Sequence, residues 1–382
     1  MTIAPRILLL TASYGSGHNR VADTLAQAFR EAGAAVRVVD HFRELVHPEF
    51  DRLSRGLYYA VLRRTPHLWG LAYWIGDQLP VSSPLLLGLT RLGVPKLRRL
   101  LERERPDFVV SVHPTPAAAL SELAGARRVV PPHTTVFTDW VAHTQWICPH
   151  VDRYCVPAQE IARTLIARGV PRERVTVTGV PVAAAFARPA AERAATRLAL
   201  GLSPRLPVVL LMDGGGGGFG RLEEATRALL GMDGTCQAVV VTGRHPRAEG
   251  RLHRLVAGRE TRVRVFGYVD DVRELMGAAD FLVSKAGGVT LAEALAAELP
   301  MVCFGSLPGQ EQRNERFAAM AGVALVAWSP AQVERVLGAV VGDPVLARNL
   351  RERIRGYRRP HAAEHVVDLV LGRDRHRVER AS

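Results

Sequence analysis

Short apolar runs recur along this chain, each closed by a polar or glycine-rich break. "RILLLTA" (residues 6–12) reads as a buried strand, and "AVRVVD" (35–40) as its neighbour. Between them lies a segment with helical spacing that runs to about Ala32 and stops at Gly33. Strand, helix, strand is a crossover unit, and such units build parallel sheets. The rhythm returns at "DFVVSVH" (107–113), "TTVFTD" (134–139), "RYCVPA" (153–158) and "VTVTGVP" (175–181). An Ala-rich stretch with scattered Pro (183–204) suits a connection plus one short helix. A second series begins at Leu206 and continues through "QAVVVTG", "VRVFGYV", "FLVSKAG", "PMVCF" and "ALVAW", with helical spacing between. The pattern predicts two α/β domains, 1–185 and 186–355, followed by a C-terminal helix and tail (356–382).

Residues 41–105 break the alternation. They are aromatic, leucine-rich and studded with Arg, and read as helices apolar on one side and basic on the other. A helical hairpin packed on its own sheet fits this pattern. So does a surface that lies on lipid, with Trp69, Tyr73 and Trp74 at headgroup level and Arg63, Arg64, Arg98 and Arg99 facing phosphates.

In parallel sheets, ligands collect beyond the carboxyl ends of strands. The chemistry-bearing motifs all fall there, and two such sheets imply a cleft between the domains. "TASYGSGH" places His18 at the start of a helix, after a glycine turn. "SVHPTP" ends a strand with His113, and "FTDWVAHTQW" supplies Asp139, Trp140, His143 and Trp146. In the second half, "DGGGGGFG" sits between a strand and a helix, where backbone N–H groups can approach an anion. No Gly-Lys-Ser/Thr follows, so it is not a Walker loop. "SKAGGVTLAEALAAELP" turns at Gly287 and Gly288, opens a helix at Val289 or Thr290, and carries Glu293 in the first or second turn. A carboxylate there can take both hydroxyls of a ribose, or simply complement the helix dipole. "PGQEQRN" offers Gln310, Glu311 and Asn314, the last equally a helix cap.

Composition sharpens this only in part. With 382 residues, 48% hydrophobic and 23% charged, the chain folds around a sizeable core. Four cysteines are too few for a disulfide framework, and Cys148, His150 and Cys155 match no zinc spacing. "MTIAPRILLL" runs straight into a strand with no cleavage site, and no window approaches the roughly 20 apolar residues of a spanning helix. A cytoplasmic protein is expected. The formal charge of +13 suits nucleic acid, an anionic membrane, or an Arg-rich proteome, and does not choose among them.

The glycine run, "SKAGG…EALA…LP" and "PGQE…N", in this order, resemble the nucleotide-sugar half of GT-B glycosyltransferases. "TASYGSGH", "SVHPTP" and "FTDWVAHTQW" resemble the diacylglycerol branch: monogalactosyldiacylglycerol synthases and processive diacylglycerol glucosyltransferases, in family 28 and related to MurG. The resemblance covers roughly residues 6–355. It implies a GT-B fold, with two Rossmann-like domains whose parallel sheets face a central cleft. It implies inverting transfer of a hexose, from UDP-glucose or UDP-galactose, to the hydroxyl of diacylglycerol, without a bound metal or other cofactor. Position by position, the resemblance implies that Gly215, Gly216, Gly217 and Gly218 lie near the diphosphate, and that Gly287 and Gly288 belong to the donor-binding side. Glu293 binds ribose; Gln310 and Glu311 hold sugar hydroxyls; Phe266, Gly267 and Tyr268 border the uracil. His18 is the first candidate for the base and Asp139 the second. His113, Trp140, His143 and Trp146 stand on the acceptor side. The enzyme is expected at the inner face of the cell membrane, bound to its anionic surface and not to nucleic acid. Two departures stand out: Ala286 where proline is frequent, and Glu298 where glycine is frequent before "LP". A MurG-like N-acetylglucosamine transferase, a UDP-sugar 2-epimerase and a nucleic-acid-binding protein are the competing readings.

Overall fold

The computed structural model describes residues 4–79, 91–126, 129–189, 191–213, 221–232 and 234–373. The chain forms two compact units. The first runs to Ala184 and takes up the chain again from Pro360; the second is Ala185–Arg359.

The first unit holds a six-stranded parallel sheet in the order β2-β1-β3-β4-β5-β6. Its strands are β1 (Arg6–Thr11), β2 (Ala35–Asp40), β3 (Phe108–Ser111), β4 (His133–Val136), β5 (Arg153–Val156) and β6 (Val175–Val177). After β1 comes α1 (Ser16–Glu31), whose end is marked by Gly33 at φ 85°. The break in alternation contains a π-helical turn (His41–Val46), α2 (Pro48–Arg64), α3 (Pro66–Gln78) and α4 (Val94–Glu104). Then follow α5 (Pro114–Gly125) and α6 (Gln159–Ala167). Leu8, Leu10, Val39, Leu97, Leu100, Val109 and Leu120 form a core between the sheet and helices α4 and α5.

The second unit repeats the plan, in the order β12-β11-β10-β7-β8-β9. Its strands are β7 (Val208–Met212), β8 (Gln237–Val241), β9 (Val263–Phe266), β10 (Phe281–Ser284), β11 (Met301–Phe304) and β12 (Ala324–Ala327). After the short α7 (Arg193–Ala199) the helices are α8 (Leu222–Gly231), α9 (Pro246–Leu255), α10 (Val272–Ala278), α11 (Gly288–Ala296), α12 (Gln310–Met320), α13 (Pro330–Gly342) and α14 (Pro344–Tyr357). A last helix, α15 (Ala362–Val370), belongs to the first unit. Strands β7, β8, β10 and β11 are buried along their whole length, as strands covered by helices on both faces must be.

Both sheets reverse direction once. In the first, the chain grows from β1 to β2 and then crosses to β3 on the other side of β1. In the second, it grows from β7 through β8 to β9 and then crosses to β10. At such a switch point, loops diverge and leave a crevice. The turn carrying His18 follows β1, and the segment carrying His113 follows β3. The run 214–218 follows β7, and "KAGG" follows β10. The described candidate motifs therefore flank the two switch points.

Two expectations about residues 41–105 change. Trp69 and Tyr73 are half-buried, not fully outward-facing. Trp69 packs edge-on against Tyr58 of α2 at 4.9 Å, and Tyr73 lies 4.3 Å from His143, because α3 is held against α2 and the turn at 143–146. Trp74 does face outward, and so do Leu53 and Leu57 of α2 and Leu68, Leu71 and Ile75 of α3. Among the described residues, no helix is long and apolar enough to cross a membrane.

Glu298 explains one departure from the family pattern. It stands at φ 54°, in the left-handed position after the end of α11, where glycine is usually found. Its carboxylate is held by Arg355 at 2.8 Å and Arg358 at 3.4 Å, which offsets part of the cost of that backbone.

Candidate active site

In the first unit, the turn after β1 is fixed by its own polar groups. Gly15 adopts φ 96°, a conformation that disfavours any side chain. Thr11 donates its hydroxyl to Asn19 Oδ1 at 2.9 Å, and Asn19 Nδ2 donates to Ser13 Oγ at 2.9 Å. The Ser13 hydroxyl bonds Asp40, whose other carboxylate oxygen accepts the Arg43 N–H at 3.0 Å. Tyr14 packs edge-on against Phe42 and Tyr58. These contacts set the start of α1 and so the place of His18.

His18 is half-buried, and its Nδ1 lies 2.8 Å from the carbonyl oxygen of Val112 and 2.9 Å from Thr138 Oγ1. A carbonyl can only accept, so Nδ1 carries the proton. Nε2 is then the ring atom with a lone pair. Burial holds the imidazole below its ordinary value of 6.5, opposed by the Asp139 charge and the Val112 bond. At neutral pH His18 is an uncharged ring with a fixed tautomer, the state a general base requires.

Asp139 is half-buried beside it, with Oδ2 at 3.5 Å from the Thr138 hydroxyl. Thr138 thus stands between the two candidate bases. The His113 ring meets that of His18 edge-on, with centroids 4.7 Å apart. His113 caps α5: its Nδ1 accepts the Thr115 N–H at 3.1 Å. Burial, with His18 and His41 nearby, keeps His113 well below the usual histidine range.

The remaining acceptor-side residues back this arrangement. Trp146 is buried, stacks on Phe137 at 4.6 Å and lies 6.2 Å from the His18 ring. Trp140 is likewise buried. His143 is a clamp: Nε2 donates to the Tyr73 carbonyl at 3.0 Å, and Nδ1 accepts the Gln145 N–H at 3.2 Å. Asp77, at the end of α3, accepts the Thr144 N–H at 2.8 Å and pairs with Arg168 at 3.0 Å. Helix α3 is thereby tied to the loop behind the site. Thr138, the Val112 carbonyl and Asp77 are the participants that sequence reasoning passed over. The residue before Asp139 in "FTDW" was the one available signal.

In the second unit, α11 opens at Gly288 with Gly287 as its cap, one residue earlier than the motif suggests. A Cβ at Gly287 would meet only Thr290, at an ordinary 3.6 Å, so the surroundings do not demand glycine there. Glu293 is buried in the second turn of this helix. The neighbouring loops are stitched together. Glu311 accepts from Lys285 Nζ at 2.7 Å with one oxygen and from the Leu307 N–H at 2.9 Å with the other. Asn314 is not a cap: it is buried inside α12 and donates to the Ala286 carbonyl at 3.1 Å. Gln310 is the first residue of α12, after Gly309 at φ 98°.

At the end of β9, the Phe266 carbonyl accepts the Thr242 N–H and the Gly267 carbonyl accepts the Gly243 N–H. A Cβ at Gly267 would meet the carboxylate of Glu249 at 2.8 Å, the far end of a side chain that can swing away. Tyr268 is exposed, with the Arg244 guanidinium 4.0 Å above its ring. Gly215, Gly216, Gly217 and Gly218 lie outside the described residues. The four cysteines are buried free thiols, and burial pushes Cys148 up to about 12. Among the described residues, no group of three or more His, Cys, Asp or Glu side chains is placed to hold a metal.

Residues 18–182 match the family model described as monogalactosyldiacylglycerol (MGDG) synthase, and 149–371 match that of UDP-N-acetylglucosamine 2-epimerase. A processive diacylglycerol beta-glucosyltransferase of Bacillus thuringiensis (strain Al Hakam) is 30% identical over 96% of this chain and 93% of its own length. The chain belongs to the diacylglycerol glycosyltransferase family. Among solved structures, MurG of Acinetobacter baumannii superposes with a TM-score of 0.63 at 15% identity, covering 96% of this chain and 99% of that one. A co-structure of S. aureus MnaA with UDP gives 0.62 at 15% identity, covering 95% of each chain. The chain shares its GT-B fold with these proteins, and the two parallel sheets described above are its two halves.

Proposed function

We propose that this protein moves a glucose or galactose from a UDP-sugar to the free hydroxyl of diacylglycerol, with inversion, giving a β-glycosyldiacylglycerol. The observation that carries the reading is the fixed tautomer of His18, which leaves Nε2 with a lone pair at the switch point of the first sheet. In this reading Nε2 takes the proton as the acceptor oxygen attacks the anomeric carbon. The bond to the UDP oxygen breaks from the opposite side. Asp139 supports the imidazolium that forms, through its charge.

The second unit binds the donor. Glu293 takes the ribose hydroxyls, Gln310 and Glu311 the sugar hydroxyls, and residues 266–268 border the base. The N-terminus of α11 and the run 215–218 offset the charge of the departing diphosphate, with no metal. The match of 149–371 to an epimerase model supports a UDP-type donor for this half. Glu311 is already engaged on both oxygens, so it orients a hydroxyl only by sharing its acceptor capacity.

The exposed apolar residues of α2 and α3, with Arg63 and Arg64 at the end of α2, dock the enzyme on the inner face of the cell membrane. Incubation with diacylglycerol liposomes and a panel of UDP-sugars, read by mass spectrometry, tests the reading. A hexosyldiacylglycerol from one UDP-hexose supports it. Transfer only to a polyprenyl-linked acceptor, or epimerisation without acceptor, removes it.

A further inference from the structure

The edge strand β2 and helix α4 border a pocket of about 240 Å³ that is separate from the residues of both candidate sites. The sequence builds it by two periodicities. Arg37 and Val39 share one face of β2, two residues apart. Lys96, Arg99, Leu100 and Arg103 share one face of α4, three to four residues apart. The π-helical turn closes the pocket with Glu44 and Leu45.

Its floor is apolar: Val39, Leu45 and Leu100 are buried. Its rim is cationic, with Arg37, Lys96, Arg99 and Arg103 against the single lining carboxylate Glu44. Glu104 stands just outside and pairs with both Arg37 and Arg103. Four cations against these two carboxylates leave a formal excess of +2. Lys96 spends one N–H on the neutral Val46 carbonyl, at 2.6 Å. Arg99 makes no ion pair among the described residues. Three guanidinium groups around one concavity suit the planar, paired recognition of phosphate oxygens, and an apolar floor suits a carbon skeleton carrying that phosphate.

We propose that this pocket is a second ligand site, one that binds a phosphate mono- or diester. The same chemistry is offered by a phospholipid headgroup and by a soluble phosphate compound. The proposal is independent of the transfer reading, because no residue of the pocket is assigned to donor or acceptor.

The test uses the full chain and three proteins: the unaltered one, Arg99→Ala/Arg103→Ala, and the charge-matched Arg335→Ala/Arg348→Ala in the second unit. All four arginines are exposed, so folding is preserved and is checked by thermal melting. Each protein is titrated with phosphatidylcholine vesicles with and without phosphatidylglycerol, and separately with inorganic phosphate and glycerol 3-phosphate. The pocket variant is expected to lose about tenfold or more in affinity for a phosphate-bearing probe, while the matched variant stays within about twofold. Loss confined to vesicles identifies a headgroup; loss also seen with glycerol 3-phosphate identifies a soluble ester. Equal loss in both variants, or none in the pocket variant, overturns the proposal.

Discussion

The carbonyl of Val112, just past β3, and the imidazole of His18, near the start of α1, join at 2.8 Å the segments that leave the adjacent strands β1 and β3. That bond places the proton on Nδ1, and burial keeps the ring neutral. A base works in its unprotonated form. Activity should therefore hold above the His18 pKa and fall as pH drops through it. The acidic limb of kcat/KM is expected to have its midpoint below the ordinary histidine value of 6.5. A midpoint above that value would mean that the Asp139 charge outweighs burial.

Thr138 stands 2.9 Å from His18 Nδ1 and 3.5 Å from Asp139 Oδ2, a positioning residue between the two. Thr138→Val keeps the shape and removes the hydroxyl. It is expected to lower kcat about tenfold with little change in KM, the cost of one hydrogen bond to a group that becomes charged. Thr138→Ser should restore most of the activity. Equal losses in both variants would assign Thr138 to packing alone.

The alternation of apolar runs revealed all twelve strands of the two sheets, but not their order. Strand order depends on contacts between residues far apart in sequence, as with Leu10 beside Ser111. Without it, His18, His113 and Asp139 were three separate strand-end residues. The order places the loops after β1 and β3 side by side and gives His18 its tautomer. The strand-like patterns also ran past the observed ends: β3 closes at Ser111 and β4 at Val136, with one further backbone bond each, from Val112 and Phe137. Those extra residues are the ones that turn into the site. Asn314 and Glu311 show a second limit: a polar residue in a motif does not reveal that it also bonds the backbone of an adjacent loop, as Asn314 does with the Ala286 carbonyl and Glu311 with the Leu307 N–H.

Glu293 is buried in the second turn of α11, the helix that follows β10 at the switch point of the second sheet. Glu293→Gln retains the volume and removes the charge. Calorimetry is expected to show UDP affinity reduced about tenfold or more, with the melting temperature little altered. Unchanged affinity would leave Glu293 a structural residue and remove the ribose contact from the account.

The outward face of α2 and α3 carries Leu57 and Trp74, which are 66% and 54% exposed. Burial of either side chain in a bilayer surface contributes about 2 kcal/mol, so Leu57→Glu and Trp74→Glu should each weaken liposome flotation about tenfold or more. Neither change touches His18 or Glu293, and UDP binding should be unaffected. Flotation equal to that of the unaltered protein would contradict the docking face.

The most direct test of the account is turnover of His18→Ala on diacylglycerol liposomes, measured beside its affinity for UDP. Loss of the base should lower turnover by roughly 10²–10⁴-fold and leave UDP affinity unchanged. Turnover close to that of the unaltered protein would contradict the assignment of Nε2 as the group that takes the acceptor's proton.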